Sequence, residues 1–478
     1  MQTDPTDSHA EPAGPAAVLS PDAASTVGAA RPSERVACPL RRVAAAQRFW
    51  LLLGMVVLIA ARSLLIHGDP TDFPLDRNTS SLQRMHLFRD AAAAGDWSPK
   101  LLLGLDITPE MPVTPLGGWI LSSLTGLPLV TAGRIWSMLG SAVVGLGLYV
   151  LGRRIGPPAL GILALWLFAL DPLAIFMGRV LLPDSWMTAA FVWSLIAAGA
   201  GTRDGRIRRA VAMTLLLGFA LLAKLPVVLL APAAALALVQ AWGWRRREGW
   251  IAAAVAAVVA YAIACAWYRL APWNPFSGLR RMSEQTNDIF VSMGDLLTDD
   301  ALTVMGARIV LALTLPGAGV ALLGWIALQR RPGIRLWLNA WVLLALLTVG
   351  LTLQANSYWA YFLTPVGCLL AAAGVLALAE FGVGGFALGA AVFAFGMLGD
   401  PATARVRSYL AVDPDVAVVR EQAGPLITGP FAFFGSTIGN EMHYSDQRST
   451  GISEYATHQQ QLARLRINQF LLTTNMLG

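Results

Sequence analysis

Apolar residues in this chain run in blocks of about 20 with little polar interruption, the length a helix needs to cross a hydrocarbon core. Blocks of this kind occupy 49–66, 131–152, 157–177, 184–201, 209–223, 225–243, 250–269, 304–328, 335–353, 358–378 and 380–398. The pattern predicts eleven transmembrane helices, and so an all-α polytopic membrane domain over residues 41–398. Residues 1–40 are rich in Ala, Pro, Ser and Asp without helical period, a composition that cannot bury enough surface to fold. They are expected to form a disordered cytosolic tail. They also lack the charged, apolar and cleavage regions of a signal peptide in order, so the first apolar block is expected to remain as an anchor.

Between the blocks lie three longer polar pieces, a first loop over 67–130, a second over 270–303 and a tail over 399–478. Within the first loop, LQRMHLFRDAAAAGDW predicts a short interfacial helix ending at Gly95. PLGGWILSSLTGL is too short to span and reads as re-entrant or surface-lying. The tail alternates strand-like runs, DVAVV and PLITGPFAFF, with a helical stretch, THQQQLARLRINQFLL, which predicts a small C-terminal α/β module.

Composition agrees with the pattern. Of 478 residues 56% are hydrophobic and only 13% charged, with a mean hydropathy of +0.58, outside the soluble globular class. A net charge of +6 could suggest nucleic acid as a partner, but the arginines stand in short clusters between apolar blocks: Arg41, Arg42 and Arg48, then Arg153 and Arg154, then several over 203–209, then Arg245, Arg246 and Arg247, then Arg330, Arg331 and Arg335. Every cluster falls on the same face of the predicted topology, which the positive-inside rule makes cytoplasmic. Nucleic acid is therefore not an expected partner. The N-terminus is expected in the cytoplasm, the three polar pieces outside it, and the chain in a bacterial inner membrane. Cys38, Cys265 and Cys368 indicate neither a disulfide framework nor a cysteine metal site.

A few charges break this rule. Arg62, Arg134, Arg179, Lys224 and Arg269 fall at the outer ends of their helices, where cations gain nothing from the topological bias. An ionised side chain at membrane depth costs at least about 2.5–3.5 kcal/mol, so such residues point to function. Lys224 is one of two lysines in the chain, with Lys100; the bland alternative is that it snorkels to the headgroups. Asp184, in LLPDSW, could cap the helix that follows. Asp171, in ALDPL, reads as the turn that ends a helix before proline. Acids gather in the first loop at Asp69, Asp72, Asp76, Asp90, Asp96, Asp106 and Glu110. Cations to hold a phosphate and an acid to take a proton are the parts of a glycosyl or phosphoryl transfer site.

In this order, the motifs resemble the GT-C glycosyltransferases of the membrane mannosyltransferase and aminoarabinose-transferase type. PLDRNTSSLQRMHLFRDAAAAGDW is similar to the family's first outer loop and offers Asp76, with Arg77 where a second acid is common and Asp72 as the alternative base. EMPVTPLGGWI supplies Glu110, Pro112, Pro115 and Trp119; AGRIWSM supplies Arg134; GRVLLPDSWMTAAF supplies Arg179 and Asp184; LLAKLPVVLLAP supplies Lys224; and NSYWAYFLTPVGCLLAAAG, with Tyr358 and Tyr361, looks like the family's late tyrosine-containing helix. The resemblance implies transfer of a sugar from a polyprenyl-phosphate donor to a hydroxyl acceptor on the extracytoplasmic face, with inversion. It implies Asp76 as the base, Glu110 and Asp184 positioning substrate or base, and Arg62, Arg134, Arg179, Lys224, Arg269, Tyr358 and Tyr361 at the donor. No cofactor is required, and the acids permit a divalent cation without demanding one. The rival class is a transporter or flippase of a lipid-linked or anionic substrate, which would carry its charges at mid-membrane with repeat symmetry.

Overall fold

Helices begin and break where proline, glycine or a capping side chain interrupts the apolar blocks. The computed structural model describes residues 46–63, 76–95, 110–199, 205–270, 298–351 and 357–398, with 431–434, 449–451 and 469–472. In chain order the helices are α1 (Gln47–Ser63), α2 (Asp76–Ala94), α3 (Val113–Thr125), α4 (Leu129–Ile155), α5 (Pro158–Leu170), α6 (Pro172–Met177), α7 (Asp184–Gly199), α8 (Arg206–Ala223), α9 (Ala231–Trp242), α10 (Arg247–Leu270), α11 (Asp299–Leu313), α12 (Leu315–Leu328), α13 (Pro332–Leu351), α14 (Thr364–Ala379) and α15 (Val383–Leu398). 3-10 turns over Leu225–Leu229 and Ser357–Phe362 precede α9 and α14. Each of the eleven apolar blocks falls on helix, and the expected interfacial helix is α2, ended by Gly95 at φ +66°.

Four blocks that read as continuous are interrupted, among them 358–378, which opens as the 3-10 turn Ser357–Phe362 before α14. The block 157–177 breaks between α5 and α6 at Asp171, held extended at φ −63° and ψ 124° by the proline that follows. The block 304–328 turns by 84° between α11 and α12 at Thr314, whose φ is +59° and whose hydroxyl caps α12 by accepting from the Gly317 N–H at 3.3 Å. The block 225–243 opens as a 3-10 turn around Pro226. Among the described residues, four helices are long and apolar enough to cross a membrane, or five if the bent pair is one span.

The bundle is apolar on its outside as well as its inside. On α1, Phe49, Leu52, Val56 and Ile59 are exposed while Gly54, Leu58 and Arg62 face the interior. Water would disfavour such a face and lipid solvates it; the chain is a multi-pass membrane protein. Small residues let the helices touch. A β-carbon on Gly374 of α14 would lie 2.0 Å from the Val320 carbonyl of α12, and one on Gly152 of α4 would lie 2.6 Å from Gly161 of α5.

The arginine clusters gather, among the described residues, at one end of the bundle. Arg154, at the end of α4, donates to the Ile196 carbonyl in the last turn of α7 at 2.6 Å, and Arg331 donates to the Ile155 carbonyl that closes α4. Gln240 of α9 donates to the Pro332 carbonyl at the start of α13, and the Arg206 guanidinium lies 5.6 Å from the Trp242 ring. The Gln47 amide at the start of α1 is 2.8 Å from the Tyr149 hydroxyl. The two arginine bonds satisfy carbonyls that the C-terminal ends of α7 and α4 leave without intrahelical partners. The end of α1, the start of α4, the start of α7 and the end of α8 therefore meet at the opposite end.

In the tail, three short parallel strands, β1 (Phe431–Phe434), β2 (Ser449–Gly451) and β3 (Gln469–Leu472), form a sheet in the order β2–β1–β3, with Phe431 opposite Ser449 and Gln469. The expected helix over 457–472 is corrected at its end: Gln469–Leu472 pairs its backbone with β1 as a strand. The run QFLL is apolar and short, a pattern that periodicity alone does not assign to helix or strand. The strand-like run DVAVV, the tail 1–40 and the segment 271–297 of the second loop lie outside the described residues.

Candidate functional site

At the end of the bundle opposite the arginines, charged side chains turn inward. Helix α8 stops at Ala223 ahead of the Leu225-Pro226 turn, leaving Lys224 extended at φ −161°. Its Nζ donates to Asp184 Oδ1 at 2.7 Å, across forty residues of sequence, and the two side chains are 1% and 2% exposed. The Trp359 ring covers the ammonium at 4.9 Å from its centroid. An ion pair this deep repays desolvation only through close geometry and further partners. Asp184 is the first residue of α7, and neither of its carboxylate oxygens caps the helix: Oδ1 takes the lysine, and Oδ2 is buried without a partner among the described residues.

The segment preceding α3 is fastened to the backbone beside this pair. The Met111 N–H donates to the Leu222 carbonyl at 3.0 Å, two residues before Lys224. Thr114 Oγ1 donates to the Leu182 carbonyl at 3.1 Å, two residues before Asp184. Trp136 Nε1 of α4 donates to the Val113 carbonyl at 3.1 Å, and Arg84 of α2 donates to the Glu110 carbonyl at 3.0 Å. Helix α3 then lies so close to α4 that a β-carbon on Gly117 would meet the Trp136 ring at 2.0 Å. Glu110, half-buried, begins this segment, whose backbone is fastened beside the stretches that carry Asp184 and Lys224.

Arg62, in the last turn of α1 and fully buried, is committed to the protein. Its Nε donates to Ser141 Oγ at 2.8 Å, Nη1 to the Leu58 and Ala169 carbonyls at 3.1 and 3.3 Å, and Nη2 to the Phe168 carbonyl at 3.3 Å. Two of those carbonyls end α5, where Asp171 breaks the chain and caps α6 by accepting from the Ala174 N–H at 2.7 Å. The sequence reading of Asp171 as a turn holds, and the structure adds that this carboxylate is 1% exposed and within electrostatic reach of Arg62 and Tyr361. Gly178 admits the Arg62 guanidinium: a β-carbon there would meet Nε at 2.4 Å.

Arg179 follows on the turn before α7, 3% exposed, its guanidinium carbon 5.9 Å from the Phe176 ring centroid. Arg134 is buried in the second turn of α4, next to Gly133, where a β-carbon would meet Leu181 at 2.6 Å. Of the residues expected at the site, the structure thus brings Asp184, Lys224 and the Glu110 segment together and sets Arg62 beside Tyr361. Asp76 begins α2, Arg269 lies in the last turn of α10 and Tyr358 in the 3-10 turn; their side chains are outside the described residues, as is Asp72. No group of three or more metal-ligating side chains occurs among the described residues. Sequence reasoning missed Trp359, Thr114 and Arg308, the last buried on α11 and donating to the Val349 carbonyl at 3.1 Å. Arg308 carried the signal that marked the others, an arginine inside an apolar block; Trp359 and Thr114 carried none.

Residues 111–268 match the family model described as dolichyl-phosphate-mannose-protein mannosyltransferase, a stretch that holds Thr114, Arg134, Arg179, Asp184 and Lys224. Among solved structures, ArnT from Cupriavidus metallidurans bound to undecaprenyl phosphate is 16% identical, with a TM-score of 0.57 over 88% of this chain and 89% of that one. The same enzyme in the apo state is 17% identical, with a TM-score of 0.55 over 84% and 86%. The Archaeoglobus fulgidus oligosaccharyltransferase in the apo form is 11% identical, with a TM-score of 0.52 over 86% of this chain and 65% of that one. No curated protein matches. At these identities the likeness is one of fold: the chain shares the fold of these membrane proteins, and its segment 111–268 is similar to the mannosyltransferase family.

Proposed function

We propose that this chain transfers a hexosyl or pentosyl group from a polyprenyl-phosphate donor to a hydroxyl acceptor, a lipid, glycan or protein of the cell envelope. The observation that carries the reading is the buried set Arg134, Arg179, Lys224 and Asp184, with the segment that begins at Glu110 fastened beside it, at the end of a GT-C bundle opposite its arginine clusters. The bound undecaprenyl phosphate in the ArnT structure supports the donor class. By the positive-inside rule, the arginine end faces the cytoplasm and the reaction occurs on the outer side of the inner membrane, with the C-terminal module there too.

The leaving group is a prenyl phosphate, which gains charge as the glycosidic C–O bond breaks. Fixed cations in a water-poor site stabilise that charge without reorganising; Arg134 and Arg179 are assigned this work, with Lys224 held in register by Asp184. The acceptor hydroxyl loses its proton to a carboxylate as it attacks, and Asp76 at the start of α2 is the assigned base, with Glu110 orienting the acceptor. A single displacement inverts the anomeric centre. Arg62, committed to carbonyls, acts through the α5–α6 turn rather than on the phosphate. No cofactor is required; the first-loop acids could hold a divalent cation.

Purified protein in lipid vesicles, offered a panel of polyprenyl-phosphate sugars, should transfer or hydrolyse at least one of them, and Asp76→Asn and Lys224→Ala should abolish this. If no donor binds or turns over, the reading is wrong and a transporter of an anionic lipid takes its place.

A further inference from the structure

The segment from Glu110 to Thr114 cannot hold its own shape. Pro112 within it and Pro115 after it remove backbone donors, and its internal backbone bond runs only two residues back, from the Val113 N–H to the Met111 carbonyl at 2.7 Å. Its register is set from outside, by the bonds to Arg84, Leu222, Trp136 and Leu182. Of these, the bond to Leu182 is made by a side chain of the segment itself. Thr114 is fully buried, and Leu182 is 2% exposed. Removing the hydroxyl would leave a carbonyl facing apolar surroundings, where an unmet acceptor is costly.

Leu182 lies two residues before Asp184, and Leu222, which takes the Met111 N–H, lies two before Lys224. The same short segment therefore bridges the two backbone stretches that carry the ion pair. We infer that Thr114 is a positioning residue: its hydroxyl latches the Glu110 segment to the backbone leading into α7, so that Glu110 and the Asp184–Lys224 pair are held in one register. The latch acts through Glu110 and touches no substrate. This rests on the sugar transfer proposed above for its functional meaning, and on the geometry alone for the latch. Threonine suits the task because its methyl group fills the buried site while its hydroxyl reaches the carbonyl; valine keeps the shape and loses the bond, and serine keeps the bond and loses the methyl.

The test compares full-length wild type, Thr114→Val and Thr114→Ser in lipid vesicles. Amide hydrogen exchange over residues 110–118 should be about tenfold faster or more in Thr114→Val, as expected when a buried hydrogen bond is lost, and near wild type in Thr114→Ser. With a polyprenyl-phosphate sugar as substrate, kcat should fall by a similar factor in Thr114→Val with the donor KM within about twofold, and Thr114→Ser should restore it, the pattern of a misplaced group rather than lost binding. Unchanged exchange in Thr114→Val overturns the latch. Faster exchange with unchanged kcat overturns its role in positioning Glu110. A wild type that turns over no donor defeats the transfer reading instead, and the exchange comparison still decides the latch.

Discussion

The two ends of this bundle use the same residue types in opposite ways. At one end Arg153 and Arg154 are exposed, Arg153 donating to the Tyr149 hydroxyl and Arg154 to the Ile196 carbonyl in the last turn of α7. At the other, Arg62, Arg179 and Lys224 are at most 3% exposed and are met by a carboxylate, carbonyls and aromatic faces. An exposed cation costs little and contributes little, because water and salt screen it. A buried one must be fully matched, and its loss leaves the partner stranded. Charge at the first end finishes helices, and charge at the second is packed into the interior.

That contrast can be broken most sharply at the ion pair. Lys224→Met strands Asp184 in the interior and should destabilise the protein by about 3–5 kcal/mol, read by thermal or denaturant unfolding in detergent, and should abolish transfer. The double variant Lys224→Met with Asp184→Leu should recover most of the stability and none of the activity; if activity returned, the pair would be structural only. Next in size is Arg62→Ala, which frees the carbonyls ending α5 and should cost about 2–4 kcal/mol, with Arg62→Lys restoring little because an ammonium cannot match a guanidinium fork spread over Ser141, Leu58, Phe168 and Ala169. Asp171→Ala should cost about 1 kcal/mol through the lost α6 cap, and Asp171→Asn much less, since asparagine caps as well. Smallest should be Arg154→Ala at the exposed end, under about 1 kcal/mol and without effect on transfer in vesicles. A loss there as large as at Arg62 would erase the distinction between the ends.

Much of this arrangement was legible in the sequence. Apolar length placed helix within each block among the described residues, because in lipid every backbone group must be satisfied within its segment and helices are the local solution, while four or five of those helices are long and apolar enough to cross a membrane. The breaks were less legible. Asp171-Pro172 announced its own turn, but the 84° bend at Thr314 depends on a cap that only the folded chain supplies. For the site, rarity and misplacement picked out Lys224, Arg179, Arg62 and Asp184, since burying a charge is expensive enough to leave few of them. What the sequence withheld was how they are spent. Nothing in one dimension pairs residue 184 with residue 224, turns Arg62 toward the end of α5, or lays Trp359 over the lysine. Those contacts join segments through packing, which periodicity does not encode.

The short helix α5 carries one more implication. Its 13 residues begin just after the arginines of the exposed end and advance roughly 20 Å, against about 30 Å for a hydrocarbon core. For an upright α5 that starts at the membrane surface, the turn at Asp171 falls roughly 10 Å short of the far surface. A molecule with a long hydrocarbon tail would reach this depth by sliding in sideways from the lipid, its head group never leaving the plane of the leaflet. Access should then depend on how thick that leaflet is, and vesicles made from lipids of stepwise longer chains would measure it as a falling rate of donor capture.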